Sequence, residues 1–537
     1  MNFDTLLQTF ISDTTETSVG LFRPELILCG TILALLLVRL FSIDRWLTPS
    51  WVALLGAFIA FGVAAIDFMD LKSASGDVVQ EIFTGLLIFD RFTAFFRIFL
   101  LLFLVLVVTL TILSGLPDIE DGPDFYTLLF GSTIGMMIMA SANHLLILFL
   151  GVEMTSVPSY AMVGFLKGRK LSSEASFKYV VYGAGTSGIM LYGISLLAGL
   201  LGTGNLSLMA ERLEMLTSTG QTIISGSAIA VILLMVMVGL AFKLSVFPFH
   251  FWCPDAFEGA SAEVAGFLSV ASKAGAFALL VRFALSFSTG DPGTLLQPTF
   301  LYVGLGVGII AAVTATYGNL AAYQQTNAKR LLAYSTIAHA GYMLMGVAAM
   351  IVLMNSPAGA TAEATANAEK ALEGLLYYLA VYLFMNLGAF AVVAFIRNSI
   401  YSEEIDDYAG LAQVSPILCV GMLIFLFSLI GMPPFGGFIG KFMIFASLFE
   451  AGRVHWLMWL ILVAGGANTV FSLFYYVRVL RVMFLEPRPA DAPDVDVKWG
   501  SLPGFYTLLI CFPVIFLGLV IQPLSATAQN VVSVLFP

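Results

Sequence analysis

Apolar residues occur in runs of about 20 separated by short polar loops, and a helix rising 1.5 Å per residue over such a run crosses a hydrocarbon core of roughly 30 Å. The runs fall at approximately 25–41, 50–69, 92–114, 124–141, 144–166, 174–201, 225–249, 262–287, 299–322, 328–354, 371–396, 411–450 with an interruption, 455–484 and 503–521. This pattern predicts an all-α polytopic membrane protein of about fourteen spans, with almost nothing left over for a soluble domain.

Two of the runs are interrupted by proline. The seventh holds Lys243-Leu-Ser-Val-Phe-Pro248-Phe-His250, and the twelfth holds Gly431-Met-Pro433-Pro434-Phe-Gly-Gly437, followed by Lys441. Proline removes a backbone donor and clashes with the preceding turn, while glycine lets the chain bend. A broken helix at membrane depth is tolerated only against protein or water. Breaks at Pro248 and at Pro433 and Pro434, in corresponding places, point to inverted repeats with an ion site in each. The spacing of five spans predicts three leading helices (1–120), a first five-helix repeat over helices 4–8 (121–290), an inverted second repeat over helices 9–13 (291–485), and a last helix with its tail (486–537). The competing explanation is an ordinary kink, since proline and glycine are frequent in membrane helices; a lysine beside each break favours function.

Composition agrees with this pattern and narrows it. The 537 residues are 59% hydrophobic and 11% charged, far below the roughly 25% charge of soluble domains, and the mean hydropathy is +0.96. The net charge of −10 argues against a nucleic-acid partner. Asp4, Asp13 and Glu16 stand where a signal peptide needs a basic region and an apolar core, so a retained N-terminus is expected. Cys29, Cys253, Cys419 and Cys511 are scattered singly and suggest no iron–sulfur or zinc site. With the N-terminus outside, one set of loops receives twelve basic residues: Arg39, Arg45, Lys167, Arg169, Lys170, Lys329, Arg330, Arg397, Arg478, Arg481, Arg488 and Lys498. The other set receives six: Arg23, Lys72, Arg91, Arg212, Lys370 and Arg453. Cytoplasmic loops hold the basic excess, so both termini are expected outside the cytoplasm.

Six basic residues remain within the spans. A charge near the bilayer centre costs from about 2.5 to well over 10 kcal/mol, so such residues normally face a cavity or a partner and mark an ion path. Glu153, in Leu-Phe-Leu-Gly-Val-Glu-Met-Thr-Ser-Val-Pro, needs a counter-charge, and Lys178 on the next, antiparallel helix is the expected one. Snorkelling at a helix end is the competing reading of Lys178. Lys243 and Lys273 lie deep in their runs, and buried lysines lose their proton more readily. With Lys441, and with hydroxyls such as Ser245, Ser269 and Ser272, they predict a sideways proton path at the midplane; ion pairs that only fix packing are the alternative. His339 in the tenth run suits proton relay and equally suits a satisfied core position. His250 is expected near the surface as an interfacial or gating residue. His144 and His455 sit at span ends. Arg97 and Arg282 find no role in this scheme.

The segments Phe247-Pro-Phe-His-Phe-Trp-Cys-Pro-Asp255-Ala-Phe-Glu-Gly259, the run to Ser272-Lys273, and Gln325-Thr-Asn-Ala-Lys-Arg-Leu-Leu-Ala-Tyr-Ser-Thr-Ile-Ala-His-Ala-Gly-Tyr342 resemble the antiporter-like membrane subunits of respiratory complex I. The likeness covers the whole chain and is strongest from about 120 to 450. It implies an acid on the fifth helix, lysines on the sixth, broken seventh and eighth, and in one type of member a lysine on the broken twelfth. Glu153, Lys178, Lys243, Lys273 and Lys441 match in turn. The resemblance implies a proton-translocating membrane-arm subunit driven by electron transfer from NADH to quinone in partner subunits, which hold the FMN, the iron–sulfur clusters and the quinone; none is expected on this chain. Expected partners are the neighbouring antiporter-like and small membrane subunits, the lipid bilayer, protons and internal water. One departure stands out: after Glu258-Gly259, a small-residue, proline-containing turn of the family is replaced by Ala260-Ser261-Ala262-Glu263, which bears on how the eighth helix starts and not on its lysine.

Other readings are a subunit of a multisubunit cation/proton antiporter or membrane-bound hydrogenase, a structural spacer, and a stand-alone transporter. The stretch beyond Pro523, free of charge, predicts an interfacial helix against a neighbouring subunit.

Overall fold

The computed structural model describes residues 8, 10–42, 46–73, 78–117, 121–218, 226–287, 297–356, 361–490, 492, 493, 495 and 497–536. Asp4 and Arg45, the start of the seventh run at 225, and the boundaries at 120 and at 290 and 291 lie outside them. Every one of the fourteen apolar runs holds a helix. The leading three are α1 (Arg23–Leu40), α2 (Pro49–Ser73) and α3 (Arg91–Ser114). A small antiparallel hairpin that the apolar pattern does not foresee, β1 (Gln80–Ile82) and β2 (Leu87–Phe89), joins the last two. Next come α4 (Gly122–Ser141), α5 (Leu145–Val163), α6 (Lys170–Leu201), a short α7 (Met209–Ser218), α8 (Gly226–Leu244), α9 (Trp252–Gly259) and α10 (Ala262–Leu285). They are followed by α11 (Gln297–Ala322), α12 (Ala328–Met354), α13 (Ala362–Ile400), α14 (Pro416–Ile430), α15 (Gly436–Val454), α16 (Leu457–Leu485), α17 (Leu502–Leu519) and α18 (Gln522–Val532).

Eleven of the described helices are each long and apolar enough to cross a membrane. Among the runs outside that set, α1 carries Arg23, Glu25 and Arg39, α14 stops after 15 residues at the second break, and α4 opens on Gly122, Pro123 and Asp124. The chain is therefore an all-α polytopic membrane protein.

The most apolar 18-residue window of α10 is 100% buried inside the chain, so the residues on that helix face protein rather than lipid. It packs against α3, α4 and α13. Close helix crossing is set by glycine at one pair of positions: a Cβ on Gly318 or Gly341 would come within 2.6 Å of backbone on the facing helix, so α11 and α12 touch main chain to main chain.

Two buried ion pairs fasten the leading helices, one among themselves and one to the rest. Arg97 donates to Glu25 at 2.7 Å with both side chains buried, and Arg282 donates to Asp90 at 2.8 Å. Arg282 also reaches Thr93 at 2.8 Å and the Ala140 carbonyl at 2.5 Å. The two arginines without a place in the lysine row thus hold α1 to α3, and α10 to α3 and α4. The C-terminal helix α18 has one face turned to its own chain. It buries Ala528, Val531 and Val532 and packs on α3 and α13 of its own chain, because its small and branched residues share one face.

Candidate functional site

Both predicted breaks are present. α8 ends at Leu244, and a turn containing Pro248 leads to α9; α14 ends at Ile430, and the segment with Pro433 and Pro434 leads to α15. The turn after α8 is strained, with Ser245 at φ 59°, a left-handed conformation uncommon for a residue other than glycine and often found at functional sites. At the second break Gly431 takes φ 90°, and the Gly431 and Met432 N–H groups close on the Phe427 carbonyl, the usual end of a helix with glycine just past it.

A helix end leaves its last four carbonyls without intrahelical partners. Here lysines take that place. Lys273 Nζ, from α10, donates to Leu244 O at 2.7 Å. Lys441 Nζ, from α15, donates to Leu429 O at 2.9 Å and Ile430 O at 3.0 Å. Both are at most 3% exposed. Each ammonium meets the negative end of a helix dipole, an interaction worth up to about 2 kcal/mol in buried geometry, through charge-assisted hydrogen bonds. This explains how a buried lysine persists with no acid beside it.

Lys243, on the last turn of α8, is fully buried and donates to Ser156 Oγ on α5 at 3.1 Å. Ser156 lies three residues beyond Glu153, hence on the same helix face, and the charge of Glu153 acts on Lys243. Glu153 accepts a hydrogen bond from Ser187 on α6. The expected pairing of Glu153 with Lys178 does not occur. Lys178 instead meets Asp255 at 2.8 Å and Glu174 at 2.9 Å, with 40% of its side chain exposed. The register of the antiparallel helices is the reason: Ser176 bonds the Tyr160 carbonyl and Ser187 bonds Glu153, which leaves Lys178 about 13 Å along α6 from the position opposite the acid.

Lys178 belongs to a surface cluster. Arg330 donates to Asp255 at 2.8 Å and to Glu258 at 2.5 Å. For Asp255 burial works to raise the carboxyl pKa, but the contacts to Lys178 and Arg330 prevail and hold it below the usual carboxylate range. Beside the cluster lies a pocket of about 220 Å³ lined by Lys178, Asp255, Arg330, Tyr317, Tyr334 and His250. His250 is 1% exposed, against the expectation of a surface position, because the turn at Pro248 folds it back against Tyr317.

His339 sits at the centre of a hydroxyl network. Its Nδ1 is 2.5 Å from Tyr378 Oη and its Nε2 3.2 Å from Tyr476 Oη, and Tyr476 also meets Ser335. The charge of Lys441 acts on His339, and the ammonium lies 4.4 Å from the centre of the Tyr342 ring. Tyr342 continues to Asn319 at 3.2 Å, and Asn319 to Asn468 at 3.1 Å and Tyr475 at 3.0 Å. Sequence reasoning passed over these tyrosines and asparagines. The signal available was position: Tyr378 falls inside an otherwise apolar run, where a buried hydroxyl requires a partner.

For iron–sulfur chemistry the donor set does not fit, since the four cysteines are free and lie on four different helices, α1, α9, α14 and α17.

Residues 142–472 match the family described as NADH:quinone oxidoreductase/Mrp antiporter, transmembrane. The chain is similar to NADH-quinone oxidoreductase subunit N of Anaeromyxobacter sp. (strain Fw109-5), at 38% identity over 91% of this chain and 93% of that one. Among solved structures it is similar to a chain of respiratory complex I from Thermus thermophilus with bound aureothin, with TM-score 0.71, 28% identity, and 94% of this chain and 99% of that chain covered. A chain of the Mrp complex from Dietzia sp. DQ12-45-1b has TM-score 0.76 at 20% identity, covering 97% of this chain and 98% of that one, which speaks for the fold alone.

Proposed function

This chain belongs to the NADH:quinone oxidoreductase/Mrp antiporter family of membrane subunits, and from that premise we propose that it works as a proton-translocating membrane-arm subunit of NADH–quinone oxidoreductase. Electron transfer from NADH to quinone takes place in partner subunits that hold FMN, iron–sulfur clusters and the quinone. This chain supplies no redox step; it moves protons. The setting is a bacterial inner membrane with both termini periplasmic, among the other membrane-arm subunits. Two inverted repeats, 121–290 and 291–485, each contribute one broken helix.

The single observation that carries this reading is that both helix breaks end on the ammonium of a buried lysine, Lys273 on Leu244 and Lys441 on Leu429 and Ile430. Such a lysine is held by dipoles rather than by a fixed counter-ion, so it can give up its proton without stranding a buried carboxylate. Glu153 biases Lys243 from α5, and a change in that bias shifts where the proton rests, since coupled sites titrate as a set. The path then runs from Lys243 to Lys273, on through His339, and to Lys441. Lys178 anchors the loop-side cluster around Asp255.

The test uses membrane vesicles carrying the assembled complex. Lys243→Ala should abolish most NADH-driven acidification, while electron transfer from NADH to an artificial acceptor that bypasses quinone continues. Unchanged acidification per electron in Lys243→Ala would sink the reading.

A further inference from the structure

Glu263 is a buried acid that the lysine path does not use. It occupies the first turn of α10, after the cap in which Ser261 Oγ accepts from Val264 N. A carboxylate there is favoured by the helix dipole, but that alone explains only an exposed acid. Glu263 is 1% exposed, and neither carboxyl oxygen has a hydrogen-bond partner. A buried polar group in that state is costly unless water reaches it.

The surroundings are charged and already paired. Lys329 donates to the Ala260 carbonyl at 2.5 Å and to Glu403 at 2.9 Å; Arg397 lies 4.0 Å from Glu403; and Arg330 is held by Asp255 and Glu258. The charge of Glu263 acts on Lys329 without a direct contact. Glu263 therefore sits at the end of α10 that carries the basic loops, inside the protein, next to a cation satisfied elsewhere.

A second orphan lies farther along the same helix. Asn386 on α13 donates to Ser269 Oγ at 2.6 Å, yet its own Oδ1 is buried without a partner. Ser269 is six residues past Glu263, about 9 Å along the axis, and Lys273 is four residues farther, about 6 Å. Ser269 and Lys273 share a face, and Gly266 between them and Glu263 brings α13 close: a Cβ there would be 3.2 Å from Phe390 Cβ. Buried waters typically make about three hydrogen bonds to such unsatisfied groups.

Building on the proton-translocating reading above, we propose that Glu263 is the proton acceptor at the cytoplasmic mouth of a hydrated path that runs past Ser269 and Asn386 to Lys273. The carboxylate takes a proton from water at the loop side, forming an O–H bond and leaving hydroxide to the bulk. It then passes that proton through water at the Ser269–Asn386 pair to the free amine of Lys273, which becomes ammonium while the carboxylate is restored. No electrons move.

The experiment uses the assembled complex in membrane vesicles, with acidification per electron and the pH-difference infrared spectrum of the carboxyl region as readouts. Glu263→Gln, which keeps the shape, should slow proton delivery at least about ten-fold, the lower edge of what a positioned proton-transfer group supplies. It should also remove one titrating carboxyl band, and Glu263→Asp should restore part of the rate with the band shifted. Normal acidification and an unchanged spectrum in Glu263→Gln, where Lys273→Ala abolishes pumping, overturn the role of Glu263 alone. Normal acidification in Lys273→Ala overturns the reading beneath it. If Glu263→Gln does not assemble, Glu263→Asp decides: a shifted band supports the acceptor, an unshifted one removes it.

Discussion

At the first break the lysine that meets the helix end arrives from a different helix, α10, whereas at the second it comes from the far half of the same span. The first arrangement is a contact between bodies. Any sliding of α8 against α10 lengthens the bond from Lys273 to Leu244 and frees the ammonium. The second moves with its own span and has no such lever. What surrounds Lys441 is instead a set of aromatic hydroxyls and His339, so on the proposed function its proton would respond to rotation of side chains. The difference suggests that helix displacement drives the first lysine and a local hydrogen-bond rearrangement the second.

The largest test of this contrast is Lys273→Ala. It removes both the proposed carrier and the tie between helices, and on the proposed function acidification per electron should fall by about a hundred-fold, the scale of a lost proton-transfer group. Lys441→Ala should cost about ten-fold, because the His339 network persists beside the gap; equal losses in the two variants would erase the distinction. Glu153→Gln should come next. It abolishes the charge that acts on Lys243 while leaving an acceptor for Ser187, and pumping should slow several-fold with assembly intact on native gels. Tyr476→Phe takes a hydroxyl from both Ser335 and His339 and should lower stability by about 1 kcal/mol, with slower pumping than the parent but faster than Lys441→Ala. The smallest effect belongs to Asp255→Asn. Its ion pairs are partly exposed and worth about 0–1 kcal/mol, so the thermal midpoint of the complex should drop slightly. The contribution of this cluster is present at neutral pH and is lost on acidification through the folded pKa of Asp255, which lies below the ordinary range.

The breaks and their lysines were legible because they violate the local pattern: prolines in apolar runs, and charges where none is cheap. A helix in each of the fourteen runs followed from run length, and eleven of the described helices are each long and apolar enough to cross a membrane. The partner of Glu153 was not legible, since the choice between Lys178 and Ser187 depends on how α5 and α6 slide past each other, and periodicity does not encode that register. The network around His339 was hidden for another reason: tyrosine reads as apolar in a hydropathy profile, though its hydroxyl carries the chemistry. His250 was misplaced because a turn that folds inward looks the same in sequence as one that reaches the surface. The match of Arg97 to Glu25 and of Arg282 to Asp90 spans 72 and 192 residues, beyond the reach of local pattern, and Glu25 looked like the mere edge of the first run.

Those two pairs have a consequence for biosynthesis. Glu25 is made long before Arg97, and Asp90 long before Arg282, so each acid emerges from the ribosome with its neutralising partner still untranslated. An unpaired charge in lipid is disfavoured by several kcal/mol, so α1 is expected to stay near the interface until α3 brings Arg97 to Glu25. In Arg97→Leu, α1 should remain accessible to water-soluble thiol reagents at Cys29 for longer during synthesis, and Glu25→Leu should remove that delay.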